Sequence, residues 1–341
     1  MKALPVLAAV AGVAAMAVLV GYFGAGAVMR SLLAVGATGF VAILAIHLAL
    51  TAAMGLAWRA LLPGIHPGVA IWARLVRDSG SEALPLSQVG GYVLGARALA
   101  LAGVPGTIAA ASTIVDVTLE FVAQLAYTAL GLAWLVQLQP ETRAAAPVLL
   151  GLAFAAFAAA GFVLVQRHGI AMFDRIARYL GRDWAERGAA GAAALHAALA
   201  EIYRRRSGLW ASFALHLSCW IASAVEVWLA LQLAGEPLPF AAVLAIESLL
   251  YAIRTAAFVV PNAMGVQEGA YILLGAGFGL TPEMSLALSL LKRARDITIG
   301  LPAIAVWQAI EGGRLWRRRA ARAAFNPLAK SLAPGHDPEA K

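Results

Sequence analysis

Pro261-Asn262-Ala263-Met264-Gly265-Val266-Gln267-Glu268-Gly269 interrupts an otherwise apolar stretch, and Pro85-Leu86-Ser87-Gln88-Val89-Gly90-Gly91 interrupts another in the first half of the chain. Proline removes a backbone donor and stops a helix, and glycine lets two backbones come close. At membrane depth such breaks survive only where protein or a wet cavity satisfies the freed amides and carbonyls. Broken hydrophobic segments at comparable places in two halves point to a transporter-type site near the bilayer midplane. The two stretches together predict an all-α polytopic membrane protein of transporter-like build.

Composition leads the same way. Of 341 residues, 62% are hydrophobic and 13% charged, against about 25% charged in a soluble domain. No acid or base other than histidine interrupts residues 3–29, 31–58 or 144–166. Each run exceeds the ~20 residues needed to cross ~30 Å of hydrocarbon. The first run is long for a signal-peptide core and lacks a small-residue cleavage site before a polar start, so a retained first helix is expected. The net charge of +8 is concentrated in arginines at 167–206 and 314–322. In an apolar chain that placement reads as cytoplasmic loops rather than a nucleic-acid surface. The single Cys219 excludes an intrachain disulfide, and its apolar setting reads as a packed thiol.

These signals divide the chain into a membrane domain, 1–315, and a basic cytoplasmic tail, 316–341, expected to be disordered. Six crossings are expected, at 4–24, 36–58, 105–136, 145–166, 209–234 and 283–311, with two broken re-entrant hairpins at 82–101 and 238–280. Residues 65–78 read as an amphipathic segment lying in the interface, and 167–207 as an arginine-rich cytoplasmic loop. Both termini then fall in the cytoplasm. The first half, about 1–143, and the second, about 209–311, are expected to form an inverted repeat. Its marks are Pro85 with Gly91-x-x-x-Gly95 against Pro261 with Gly265-x-x-x-Gly269, and proline spacings of 20 (85 to 105) and 21 (261 to 282).

Charged side chains at bilayer depth cost at least ~2.5–3.5 kcal/mol, so they face a cavity or a partner. Arg97, Arg254, Glu268, Asp116, Glu120, Arg295 and Asp296 are the candidate substrate-binding residues. Glu226, Glu247 and Arg293 are further intramembrane charges, while Lys292 is expected to snorkel to the outer interface. Asp116 and Glu120 share one helical face. Such a pair in a dry site calls for a cation, which Arg97 or the 292–295 cluster can supply. Arg97 and Glu268, one in each hairpin, are expected to meet near the midplane. A buried ion-pair network that only fixes helix register is the alternative for Asp116, Glu120 and Asp296. Pro85, Gly90, Gly91, Gly95, Pro261, Gly265 and Gly269 are the expected hinge and close-contact positions. His47 and His216 read as packing histidines. No H-E-x-x-H, paired C-x-x-C or Walker sequence is present, so no catalytic residue, metal or cofactor is assigned.

Pro261-x-x-x-Gly265-x-x-Glu268, followed by Lys/Arg and Asp at 292–296, resembles the integral-membrane family related to the lysylphosphatidylglycerol synthase flippase domain. Leu84-Pro85-x-x-Gln88-Val89-Gly90-Gly91 and Gly95-Ala96-Arg97-Ala98-Leu99 resemble most its hopanoid-biosynthesis-associated HpnL type, over residues 1 to about 315. The resemblance implies a bacterial inner-membrane protein that moves or handles a polar lipid, without a soluble synthase domain. Members often carry an acid beside the first glycine pair, where this chain has Tyr92. Three functions follow. One is a flippase-like lipid transporter, with membrane lipids as partners. Another is a membrane-embedded enzyme using Asp116 and Glu120 as acid and base or metal ligands. The third is a scaffold recruiting lipid-biosynthesis enzymes through the arginine-rich loop. The first is preferred, with no enzymatic activity and no nucleic-acid partner.

Overall fold

A computed structural model describes residues 18, 21–22, 25–83, 87–140, 145–180, 182–257 and 260–331. Eleven α-helices and one 3₁₀ turn make up the described residues, with no strand among them. In chain order they are α1 (Ala25–Ala34), α2 (Gly36–Leu61), α3 (Pro67–Ala83), α4 (Ser87–Leu101), α5 (Gly106–Leu138), α6 (Ala145–Leu180), α7 (Arg182–Arg204), α8 (Arg206–Ala234), α9 (Phe240–Ala256), the 3₁₀ turn Pro261–Ala263, α10 (Val266–Ala276) and α11 (Pro282–Ser331). Helices α2, α5 and α8 are long and apolar enough to cross a membrane. Their outer faces stay apolar, as Val41, Leu48, Val136 and Trp210 show.

Two pairs of short helices sit among the long ones. Helices α3 and α4, of 17 and 15 residues, pack tightly on each other, and α9 and α10, of 17 and 11, make a second pair across the 3₁₀ turn. At ~1.5 Å per residue none of the four reaches ~30 Å. The long helices join them crosswise. Helix α2 lies along α8, α5 along α9, and α11 along α3. One apolar core gathers Val35, Tyr127, Leu231, Leu250, Tyr271 and Met284. A second gathers Trp58, Val76, Leu99 and Val115, and reaches Leu199 and Ile202 of α7.

Several expectations change. Residues 67–78 belong to α3, which turns Ala70, Ala73, Arg74, Val76 and Arg77 inward against the other helices and leaves Ile71, Trp72 and Leu75 only half-buried, so its arginines face the protein interior. Hydrocarbon accepts the large apolar side chains and rejects the guanidinium groups, so the usual amphipathic reading is turned inside out. The first hairpin is therefore α3 with α4, wider than 82–101, and Pro85 lies outside the described residues. Within 167–207, residues 167–180, 182–204 and 206–207 are helical, in the end of α6, in α7 and at the start of α8. Alanine and arginine, both strong helix formers, favour this state. The same propensity carries α11 to Ser331, so the backbone of 316–331 is helical rather than irregular. Of the remaining expected crossings, 4–24 falls mostly outside the described residues, while 145–166 and 283–311 lie within α6 and α11.

Candidate functional site

A cavity of about 500 Å³ lies where the short helices meet the long ones. Its wall draws His47 and Thr51 from α2, Arg74, Arg77, Asp78, Ser81 and Glu82 from α3, and Tyr92 from α4. Helix α5 adds Glu120 and Gln124, α8 adds Ser223 and Glu226, and α9 adds Tyr251, Arg254 and Thr255. Asn262 and Ala263 of the 3₁₀ turn and Arg295 of α11 complete it. A polar hollow inside a bundle with an apolar exterior is the setting in which intramembrane charges are tolerated.

Two ion-pair networks form its walls. In the first, Arg74 donates from Nε to Asp78 at 2.7 Å and from both terminal nitrogens to Glu120 at 3.0 and 2.7 Å. Arg77 donates to Asp116 at 2.5 Å and also to Glu120, and its guanidinium stands 4.9 Å from the centre of the Tyr92 ring. Behind them His216 Nε2 lies 3.0 Å from Asp116 Oδ1, with both side chains fully buried. In the second, Arg295 donates to Glu226 and, at 2.8 and 2.6 Å, to Asp296. His47 Nδ1 sits 3.0 Å from Glu226. Each carboxylate thus accepts from a guanidinium, Glu120 from both terminal nitrogens of Arg74, and such pairing offsets part of the desolvation cost of a buried charge.

The second break presents unusual backbone to the cavity. Asn262 and Ala263 hold φ of 48° and 44°, a left-handed conformation that asparagine tolerates and alanine resists. Strain of this kind concentrates at ligand clamps and switch regions. Asn262 Oδ1 accepts a hydrogen bond from Arg254 at 3.2 Å. Gly265 follows at φ 79°, and its N–H donates to the Glu268 carboxylate at 2.7 Å.

Of the seven expected binding residues, Glu120, Arg254 and Arg295 line the cavity. Asp116 and Asp296 stand one layer behind, holding Arg77 and Arg295. Glu268 and Arg97 do not meet. Glu268 is fully buried, caps α10, and accepts from Ser289 at 2.9 Å and from Arg293 at 2.7 Å. Arg97 points away from the cavity to Glu311 at 2.7 Å, with 43% of its side chain exposed. Helix α4 turns its small residues toward α3, which sends Arg97 outward. Lys292 is buried rather than snorkelling, and donates to Glu247 at 2.5 Å. His216 is fully buried, whereas His47 is half-buried on the cavity wall, and each lies against a carboxylate. Among the hinge glycines, Gly91 and Gly95 make close contacts with α3, whereas a Cβ on Gly269 would meet nothing within 4 Å.

Residues not anticipated are Arg74, Arg77, Asp78 and Glu82. Their signal is the i, i+3, i+4 spacing of 74, 77 and 78 on a helix whose same face carries Ala70 and Ala73. These positions predict a contrast. Glu268→Gln will lower the melting temperature sharply, because it leaves Arg293 buried without its carboxylate, a cost of about 3–5 kcal/mol. Arg97→Ala will change stability by less than about 1 kcal/mol, as expected of an exposed pair. Thermal unfolding of both purified variants in detergent checks this, and a silent Glu268→Gln would remove its capping role.

The family described as Lysylphosphatidylglycerol synthase TM region matches residues 6–303, so the chain belongs to that family. With three membrane-length helices it is a multi-pass membrane protein. Comparisons with curated proteins and with solved structures found no match.

Proposed function

We propose that this member of the lysylphosphatidylglycerol synthase TM-region family translocates or handles a polar membrane lipid, hopanoid or another, and does so as a transporter rather than as an enzyme. The observation that carries the proposal is the cavity of about 500 Å³, walled by charged side chains from α3, α5, α8, α9 and α11 inside an apolar bundle. A cavity of this size takes a polar headgroup, while acyl chains remain in hydrocarbon. In this reading the two short-helix pairs are re-entrant, the chain crosses six times with both termini in the cytoplasm of a bacterial inner membrane, and the halves form an inverted repeat. Support for the repeat comes from the reciprocal packing of α5 on α9 and of α11 on α3. The acids that an enzymatic reading would use are engaged already: Asp116 by Arg77 and His216, Glu120 by Arg74 and Arg77.

Proteoliposomes containing the purified chain should move a fluorescent phospholipid between leaflets faster than protein-free vesicles. Ser223→Trp fills the cavity from α8 and is expected to abolish that movement while the protein stays folded. Leu150→Trp, at a position 74% exposed on α6, should leave it unchanged. Equal movement by Ser223→Trp and the unaltered chain would show that the cavity is not the route.

A further inference from the structure

Four arginines and four acids line the cavity, and their pairing is uneven. Arg77 and Arg295 are each held by two carboxylates and Arg74 by three. Arg254 donates only to the neutral Asn262 side chain and stands 5.4 Å from the Tyr251 ring centre. Among the described residues no carboxylate lies within 4.0 Å of it. The acids repeat the pattern. Asp78, Glu120 and Glu226 are each paired, whereas Glu82 has no cation within 4.0 Å and no hydrogen-bond donor among the described residues. One guanidinium and one carboxyl group therefore remain in the wall without an ion-pair partner among the described residues. Arg254 belongs to α9 and Glu82 to α3, one on each short-helix pair.

Unpaired charges in a desolvated wall are costly, so a ligand that meets both is favoured over one that meets either. A purely anionic headgroup would satisfy Arg254 and be repelled by Glu82. An uncharged polyol would compensate neither pole. We propose that Arg254 and Glu82 are the two poles of a site for a zwitterionic phospholipid headgroup, with its phosphate on Arg254 and its ammonium on Glu82, an assignment that rests on the cavity being a lipid-headgroup site. The guanidinium offers paired donors that match phosphate oxygens, and the carboxylate accepts from an ammonium. Asn262, held in left-handed backbone, fixes the Arg254 side chain through its amide oxygen.

Native mass spectrometry of the full chain in detergent, titrated with dioleoyl phosphatidylethanolamine and dioleoyl phosphatidylglycerol, tests the site. The unaltered chain should retain the zwitterionic lipid about tenfold more strongly, as expected for one charge-assisted contact. Glu82→Gln should erase that preference by weakening only phosphatidylethanolamine, and Glu82→Asp should restore it. Arg254→Gln should weaken both lipids. Preference for phosphatidylglycerol, or an unchanged ratio in a folded Glu82→Gln variant, would overturn the two-pole site. Tail-free glycerophosphoethanolamine competing as well as the lipid would overturn a membrane source for the headgroup. Leaflet-to-leaflet movement is measured separately: equal binding of both lipids with movement intact refutes the headgroup assignment alone, and absence of any movement refutes translocation.

Discussion

Arg77→Met will remove most of the folded protein. The guanidinium is 3% exposed, pairs with Asp116 and Glu120, and covers Tyr92. Methionine matches the stem and deletes the charge, leaving Asp116 with His216 and a long 3.9 Å contact to Arg74, and Glu120 with only Arg74. Breaking a buried pair from one side costs about 3–5 kcal/mol, a large part of the ~5–15 kcal/mol that holds a folded chain. The measurement is the monodisperse fraction and melting temperature in detergent. Adding Asp116→Asn to Arg77→Met should recover part of the loss, because the stranded charge goes too. A single Arg77→Met variant that melts within a few degrees of the unaltered chain would show that the network carries little of the fold.

Gly91→Ala should be nearly as damaging, for a different reason. A Cβ there would stand 2.0 Å from Ser81 Oγ, 2.4 Å from the Arg77 carbonyl oxygen and 2.7 Å from Ser81 N. A hydroxyl can rotate aside, but two backbone atoms of α3 cannot, so the arms of the first hairpin must separate. Overpacking of this kind costs about 1–3 kcal/mol, and it also displaces the residue that bears Arg77. Gly269→Ala is the contrast: it meets nothing within 4 Å, and alanine gains about 1 kcal/mol of helix propensity over glycine. Its melting temperature should equal or exceed that of the unaltered chain. Equal loss at both positions would refute close packing as the role of Gly91.

The helical membrane class was legible because runs such as 36–58 admit no other structure once water is excluded. The second break was legible too, since Pro261 and Gly265 have few uses inside an apolar helix. What misled was the direction of faces. On α3 the rule that arginines point to solvent was applied to a helix whose surroundings are apolar. An interfacial reading of 65–78 faces Arg74 and Arg77 outward, which leaves Arg97 or the 292–295 cluster as the expected cation for Asp116 and Glu120. Pairing across 46 and 39 residues depends on which helices touch, and nothing local encodes that. Glu268 is a different failure. Gly265-x-x-Glu268 has the spacing of a capping carboxylate at the third helical position, so its structural role is written in the sequence.

The long separations within the buried pairs also set an order of events during synthesis. Arg77 leaves the ribosome 39 residues ahead of Asp116, Glu226 leads Arg295 by 69, and Glu247 leads Lys292 by 45. At about 5–20 residues per second, the first interval alone lasts about 2–8 s. Throughout it the α3–α4 hairpin carries two guanidinium groups that hydrocarbon rejects. On the proposed re-entrant placement, the hairpin is expected to wait outside the hydrocarbon until α5 arrives with its acids, and the nascent chain to enter the bilayer in batches rather than helix by helix.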